Sequence, residues 1–353
     1  MEITFFIGNG FDLANGLSTS YIDFYNHILK ENKEKNILNK ENIFLKEIKD
    51  FMEKDDDIDV QEGESKYIDW SDFERALGAY TANLKDTDAG SKYLDDLQDV
   101  RDAFIDYITK QEEQFKIDKE SASAMFNDLS FHFYKGIRTH EENTIESYFK
   151  NHNSGVYNFN FVNFNYTNTL NKVISQTSKI TDSNSGRYIA KSPIHVHRTL
   201  NTGTLLGVND VSQIAKPDIF EADDIRDIIK PEMQNYDDGT IVPKIDKLIA
   251  KTNIFVIYGM SMGVTDKTWW DKIAAQLINH NKYLIINKHM IDSEKATVKK
   301  HPRTRRKFIE SVENEFVNNL NLEDKDKDKV LERTFVILGS DYIFKYDTSK
   351  SKA

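Results

Sequence analysis

Short apolar runs that end abruptly at small or polar residues set the rhythm of this chain. Ile3 to Ile7 is almost wholly apolar and stops at Gly8-Asn9-Gly10, which predicts a buried strand, a tight turn and a helix. Val156 to Asn165 alternates apolar and polar positions. Ile194 to His197 and Thr204 to Gly207 are shorter runs bounded by turn formers. Asn253 to Tyr258, Tyr283 to Asn287 and Phe335 to Gly339 are later strand candidates. Between the first run and the second the pattern changes to three-to-four spacing. Helices are predicted over Tyr21 to Leu29, Asn42 to Met52, a segment from Ser71 or Asp72 (either of which can cap it) to Leu84, Lys92 to Phe115 and Ala122 to Arg138, and residues 211 to 250 read as mostly helical.

Strands separated by helices predict an α/β fold with a doubly wound, mainly parallel Rossmann-like sheet. We read residues 1–353 as one α/β nucleotide-binding domain carrying a helical insertion lobe at about 30–150. Ligands of such sheets bind beyond the carboxyl ends of the strands. The informative polar residues are therefore those that follow each run: Gly8-Asn9-Gly10, Asn165-Tyr166-Thr167, His197, Gly207, Gly259-Met260-Ser261 and Asn287. Glycines at Gly8 and Gly10 allow a sharp turn and the approach of a diphosphate to main-chain N–H groups. A leucine, Leu13, stands where a dinucleotide fingerprint would place its third glycine.

Composition narrows the classes. The 353 residues include no cysteine, which removes disulfides, thiol nucleophiles and thiolate metal sites. No apolar run nears the roughly 18 residues of a spanning helix, and the N-terminus enters a strand without a leader-like pattern, so a cytoplasmic location without membrane contact is expected. A net charge of −11 argues against a surface built throughout for nucleic acid. The run Lys299 to Lys307, with six positive side chains in nine residues, is the local exception. It offers either a nucleic-acid contact or a solvated helix start or subunit contact. The acidic stretch Asp55 to Asp59, within a predicted mobile loop over Lys54 to Lys66, lacks the glycine and terminal glutamate of a calcium loop. His195 and His197 share one face of a strand but have no third ligand at a useful spacing, so no metal site is assigned.

Several segments, in order, resemble the abortive-infection AbiH family of bacterial phage-defence proteins. They are Ile7-Gly8-Asn9-Gly10-Phe11-Asp12-Leu13-Ala14 with Gly16-Leu17, Thr19, Tyr21 and Asp23-Phe24; Trp70-x-Asp72-x-Glu74; Phe164-Asn165-Tyr166-Thr167; Ile194-His195-x-His197; Leu206-Gly207-x-Asn209-Asp210; and Tyr258-Gly259-x-Ser261-x-Gly263-x-x-Asp266. A more distant resemblance is to the sirtuin-like NAD-binding fold. It implies NAD as substrate or ligand, with no separate cofactor required. Asn165 and His197 would then be the catalytic pair, and Gly8, Asn9, Gly10, Phe11, Asp12, Tyr166, Thr167, Gly259, Ser261, Asp266 and Asn287 would line the nucleotide. Thr167 stands in place of that fold's aspartate, Arg198 in place of its glycine, and its zinc-binding cysteines are missing, so the implied chemistry is glycosidic cleavage and not deacylation. In that chemistry His197 can accept a proton and Asn165 can orient a ribose or carboxamide. Asp12 can bond a ribose or cap the first helix, and His197 can equally be a structural histidine. The implied role is an antiviral effector acting on a nucleotide, as a homo-oligomer or with a partner defence protein. A non-catalytic nucleotide sensor and a nucleic-acid-directed effector or nuclease are the alternatives.

Overall fold

The computed structural model describes residues 1–48, 70–152, 155–177, 179–182, 186–196, 199–200, 206–208, 210–230, 232–233, 239–263, 266–320, 322–339 and 343–344. The expected loop at 54–66, with its aspartates, and His197 lie outside them. By contacts the chain forms two compact units. Unit 1 is Met1–Gly16, Phe115–Val196 and Thr240–Ala353, and unit 2 is Leu17–Gln114 and His197–Gly239.

Unit 1 holds the sheet. Its strands are β1 (Glu2–Ile7), β2 (Val156–Asn163), β3 (Ile180–Asp182), β4 (Gly186–Ala190), β5 (Ile194–His195), β6 (Ile254–Tyr258), β7 (Tyr283–Lys288) and β8 (Thr334–Leu338). They run in the order β3-β4-β2-β1-β6-β7-β8, with β5 pairing β2 above β4. Every pairing is parallel except β3 with β4. The line β4-β2-β1-β6-β7-β8 is the doubly wound order, and the direction of winding reverses between β1 and β6.

Successive residues of β1 face opposite sides, and both sides are aromatic. Phe5 packs on Phe133, Phe159, Phe161 and Phe344, while Phe6 packs on Phe164, Phe255 and Trp270. Burial on both faces explains why β1, β6, β7 and β8 read as near-continuous apolar runs. The polar positions of β2 are satisfied at its start, where Asn158 and Asn160 donate to the two carboxylate oxygens of Glu2 at 2.6 and 2.9 Å.

The helix expected over Ala122 to Arg138 ends early. It spans Lys119–His132, the chain turns through Gly136 at φ +100, and a separate helix, Thr139–Asn151, follows. Glu141 accepts from the backbone N–H of Arg138 at 2.8 Å and fixes that second start. Both helices belong to unit 1. The run Thr204 to Gly207 is no strand in its described part. Leu206 to Val208 belongs to unit 2, where Val208 makes one bridge to Ile229.

Unit 2 is helical, built on Tyr21–Lys35, Trp70–Tyr80 and Thr87–Gln114. Phe24 meets Phe104 edge-on at 5.2 Å. Glu74 is buried and accepts from Lys230 Nζ at 2.6 Å. The Arg101 guanidinium, also buried, donates to the carbonyls of Leu206 and Asp227 and so ties 206–230 to the long helix. Among the described residues no helix is long and apolar enough to cross a membrane.

Candidate nucleotide site at the carboxyl rim of the sheet

One register row crosses the sheet: His195 (β5), Asn163 (β2), Ile7 (β1), Tyr258 (β6), Asn287 (β7) and Ile337 (β8). Gly8, Asn165 and Gly259 follow within two positions of it. Of the predicted set, Gly8, Asn165, Gly259 and Asn287 thus lie in or next to this row at one rim.

At the reversal point the turns after β1 and β6 meet backbone to backbone. Gly8 N–H donates to Tyr258 O at 3.1 Å and Gly10 N–H to Gly259 O at 2.8 Å. A Cβ on Gly8 would fall 2.4 Å from Met260 Cγ, and one on Gly10 would fall 2.5 Å from Gly259 Cα. These glycines permit the contact between the turns, and their N–H groups are directed into it. The helix that follows, Gly10–Ala14, is a short one with Asn9 at its N-cap.

The rest of the predicted set divides by exposure. Phe11 is fully buried, edge-on to Phe344 at 5.3 Å, so its side chain serves the core and not the rim. Asp12, 1 % exposed, is held by hydroxyls: its Oδ2 accepts from Thr167 Oγ1 at 2.7 Å and its Oδ1 from Thr169 Oγ1. Thr167 is therefore Asp12's partner. Asn9 and Tyr166 are half-buried, Ser261 is exposed, and Asp266 precedes the helix Lys267–Asn279.

Asn163 and Asn165 are the notable pair. They are 0 % and 5 % exposed, and each buries a side-chain NH2 with no hydrogen-bond partner among the described residues. Leaving a buried donor unmade costs about 1–3 kcal/mol. Asn163 orients its amide unambiguously, because its Oδ1 accepts the Asn165 backbone N–H at 3.1 Å, which turns its NH2 the other way. Asn163 is not among the residues predicted from the sequence. The available signal was the period-two spacing of two asparagines at the end of an otherwise buried strand.

His195 was weighed only as half of a metal pair. In the structure its Nδ1 lies 3.2 Å from Asn165 O and its Nε2 2.8 Å from Asn171 Oδ1. Among the described residues no three His, Asp or Glu side chains gather to hold a metal. The strand-end segments 7–18, 163–171 and 258–266 contain no lysine or arginine, whereas Lys288 directly follows Asn287 at the end of β7.

Two clefts of about 340 and 440 Å³ open at the other, amino-terminal ends of β7 and β8, around Tyr283 and Phe335. They hold none of the predicted residues. The basic run is exposed and bent across two helices, Asp292–Lys300 and Pro302–Asn318. Within it Arg305 donates to Gly136 O at 3.2 Å and Arg306 lies 3.6 Å from Glu310.

A search among curated proteins found no match to the chain. The family described as bacteriophage abortive infection AbiH matches it over residues 4–288, from β1 to the end of β7 and through both units. That span carries every segment on which the resemblance was drawn, and the chain belongs to the AbiH family of bacteriophage abortive-infection proteins.

Proposed function

We propose that this chain is a cytoplasmic phage-defence effector whose unit 1 binds a nucleotide at the carboxyl ends of β1 and β2 and hydrolyses NAD to nicotinamide and ADP-ribose. The observation that carries the reading is the pair of buried amide donors on Asn163 and Asn165 that have no partner among the described residues, beside the turn at Gly8 to Gly10. A ribose or carboxamide oxygen would complete them. The absence of lysine and arginine from residues 7–18, 163–171 and 258–266 favours an uncharged or cationic part of the ligand there, as the ribosyl-nicotinamide end of NAD is.

In the reaction, water oxygen bonds to the anomeric carbon as the carbon–nitrogen bond breaks. The bonding pair goes to the nicotinamide nitrogen, which loses its positive charge. The water proton passes to His197 in this reading. The transition state resembles an oxocarbenium ion, so the asparagine amides act by holding the ribose while positive charge builds on it.

The test is nicotinamide release from NAD by the purified protein, beside Asn165→Ala and His197→Ala, with NAD binding followed by calorimetry. Release lost in both variants supports the reading. Neither release nor saturable binding by the wild-type protein, alone or with phage-infected extract, would end it.

A second reading rests on the exposed basic run. Phosphates are the complementary partner, since Lys299 to Lys307 carries six positive side chains and no acidic one. Oligonucleotide binding that weakens steeply with salt, and less steeply after Arg303, Arg305 and Arg306 are changed to Gln, would support nucleic acid as a ligand.

A further inference from the structure

We infer that His195 is a positioning residue for Asn165: it clamps the backbone of that residue so that the side-chain amide alone is left to meet a ligand. The functional consequence rests on the nucleotide-site reading above, while the clamp itself does not.

Asn165 lies two residues beyond the last pairing of β2, where sheet hydrogen bonds no longer hold the chain. Its two backbone groups are nevertheless both engaged. The N–H donates to Asn163 Oδ1 at 3.1 Å, and the carbonyl lies 3.2 Å from His195 Nδ1, which must donate because a carbonyl oxygen only accepts. The ring is fixed at its far end by Asn171 Oδ1, 2.8 Å from Nε2. His195 itself sits on β5, paired directly with Asn163. Strand pairing, imidazole and two amides thus close a loop round Asn165, and what this loop leaves over is the Asn165 NH2, buried and without a partner among the described residues.

The Asn165 carbonyl makes Nδ1 a donor whichever way the Asn171 amide is turned. With Asn171 presenting its oxygen, both ring nitrogens face acceptors, which suits the imidazolium. With the Asn171 amide turned over, the neutral ring keeps its Nδ1–H on the Asn165 carbonyl. Both states hold Asn165 through the same nitrogen.

The experiment separates the clamp from the reading. The side-chain amide resonances of Asn165 are identified in the full-length protein by their loss in Asn165→Ala, then followed in His195→Asn, His195→Gln and His195→Phe. Asparagine places a donor where Nδ1 stands, whereas glutamine reaches only as far as Nε2. The clamp predicts shifted or broadened Asn165 resonances in the Phe and Gln variants and near-native ones in the Asn variant. Unmoved resonances in the Phe variant overturn it, whether or not NAD is bound. NAD affinity is then measured on the same proteins: His195→Phe should weaken it about as much as Asn165→Ala, on the order of tenfold, with the double variant no weaker than Asn165→Ala alone. Shifted resonances without NAD binding by the wild type would leave the clamp standing and remove the NAD reading. NAD binding with additive losses would instead show that His195 acts on the ligand independently, against the inference.

Discussion

Gly10 and Gly259 touch backbone to backbone where the sheet reverses its winding: Gly10 N–H donates to Gly259 O at 2.8 Å, and a Cβ on Gly259 would lie 2.7 Å from Gly10 Cα. Gly259 also holds φ at +63, which an L-residue side chain resists. Gly16 has a similar φ, +80, with nothing within 4 Å of its would-be Cβ. The pair separates backbone strain from close approach. Gly16→Ala should destabilise by about 1–2 kcal/mol, from conformation alone. Gly259→Ala adds overlap with the backbone of a buried turn and should lose about 3 kcal/mol or more. Urea unfolding of the two variants decides it; equal losses would mean that the turns part easily.

The glycine turn shows what was legible in the sequence and what was not. Apolar runs gave β1, β6, β7 and β8 because each is buried on both faces, and they gave the rim because polar residues follow the runs. The helix Thr139–Asn151 escaped because it opens on Thr-His-Glu-Glu-Asn with few apolar residues to mark a period. The edge strand β3 and its neighbour β4 were missed because they span only 3 and 5 residues, too few for a period to show. Residue types at the rim were visible, but their partners were not. Nothing local says that Asp12 will be held by hydroxyls more than 150 residues away, or that the histidine beside Asn165 is His195.

A buried donor kept without a partner is a stability loss that a ligand can recover, which makes a further prediction for Asn165. Asn165→Leu keeps the number and branching of side-chain heavy atoms, removes the NH2 that has no partner among the described residues, and should raise the stability of the ligand-free protein by about 1 kcal/mol while abolishing ligand binding. Opposite movements of the melting temperature and of nucleotide affinity are the expected result. A variant that loses stability would show that the amide already has its partner within the protein.

Glu74 and Lys230 pose the corresponding question in unit 2, where both side chains are almost fully buried and meet at 2.6 Å. Breaking such a pair leaves one charge stranded in a dry environment. Lys230→Met or Glu74→Leu alone should therefore lose about 3–5 kcal/mol, whereas the double variant should return to within about 1 kcal/mol of wild type. Chemical unfolding of the cycle measures the coupling directly. Additive losses would instead assign the cost to packing around the helix Trp70–Tyr80.

Glu313 supplies a pH dependence whose sign follows from its surroundings. Burial pushes its carboxyl above the usual range; Arg138, 2.8 Å away, opposes this, and the charges of Glu141 and Glu310 add to the rise. Arg138 is shared, since its Nε donates to Glu141 at 2.7 Å. A carboxyl whose folded value lies above its unfolded one, about 4.3, takes up a proton more readily when folded. Its contribution to stability is then complete below about pH 4.3 and is lost as the pH rises through the folded value. Glu313→Gln cannot ionise, so its stability relative to wild type should improve as the pH rises above about 4.3 until the folded carboxyl has ionised, even though Arg138 gives up a charged partner. Melting temperatures of both proteins across that interval test the sign. A difference that stays flat, or that turns against the variant as the pH rises, would mean that the attraction of Arg138 outweighs burial at this site.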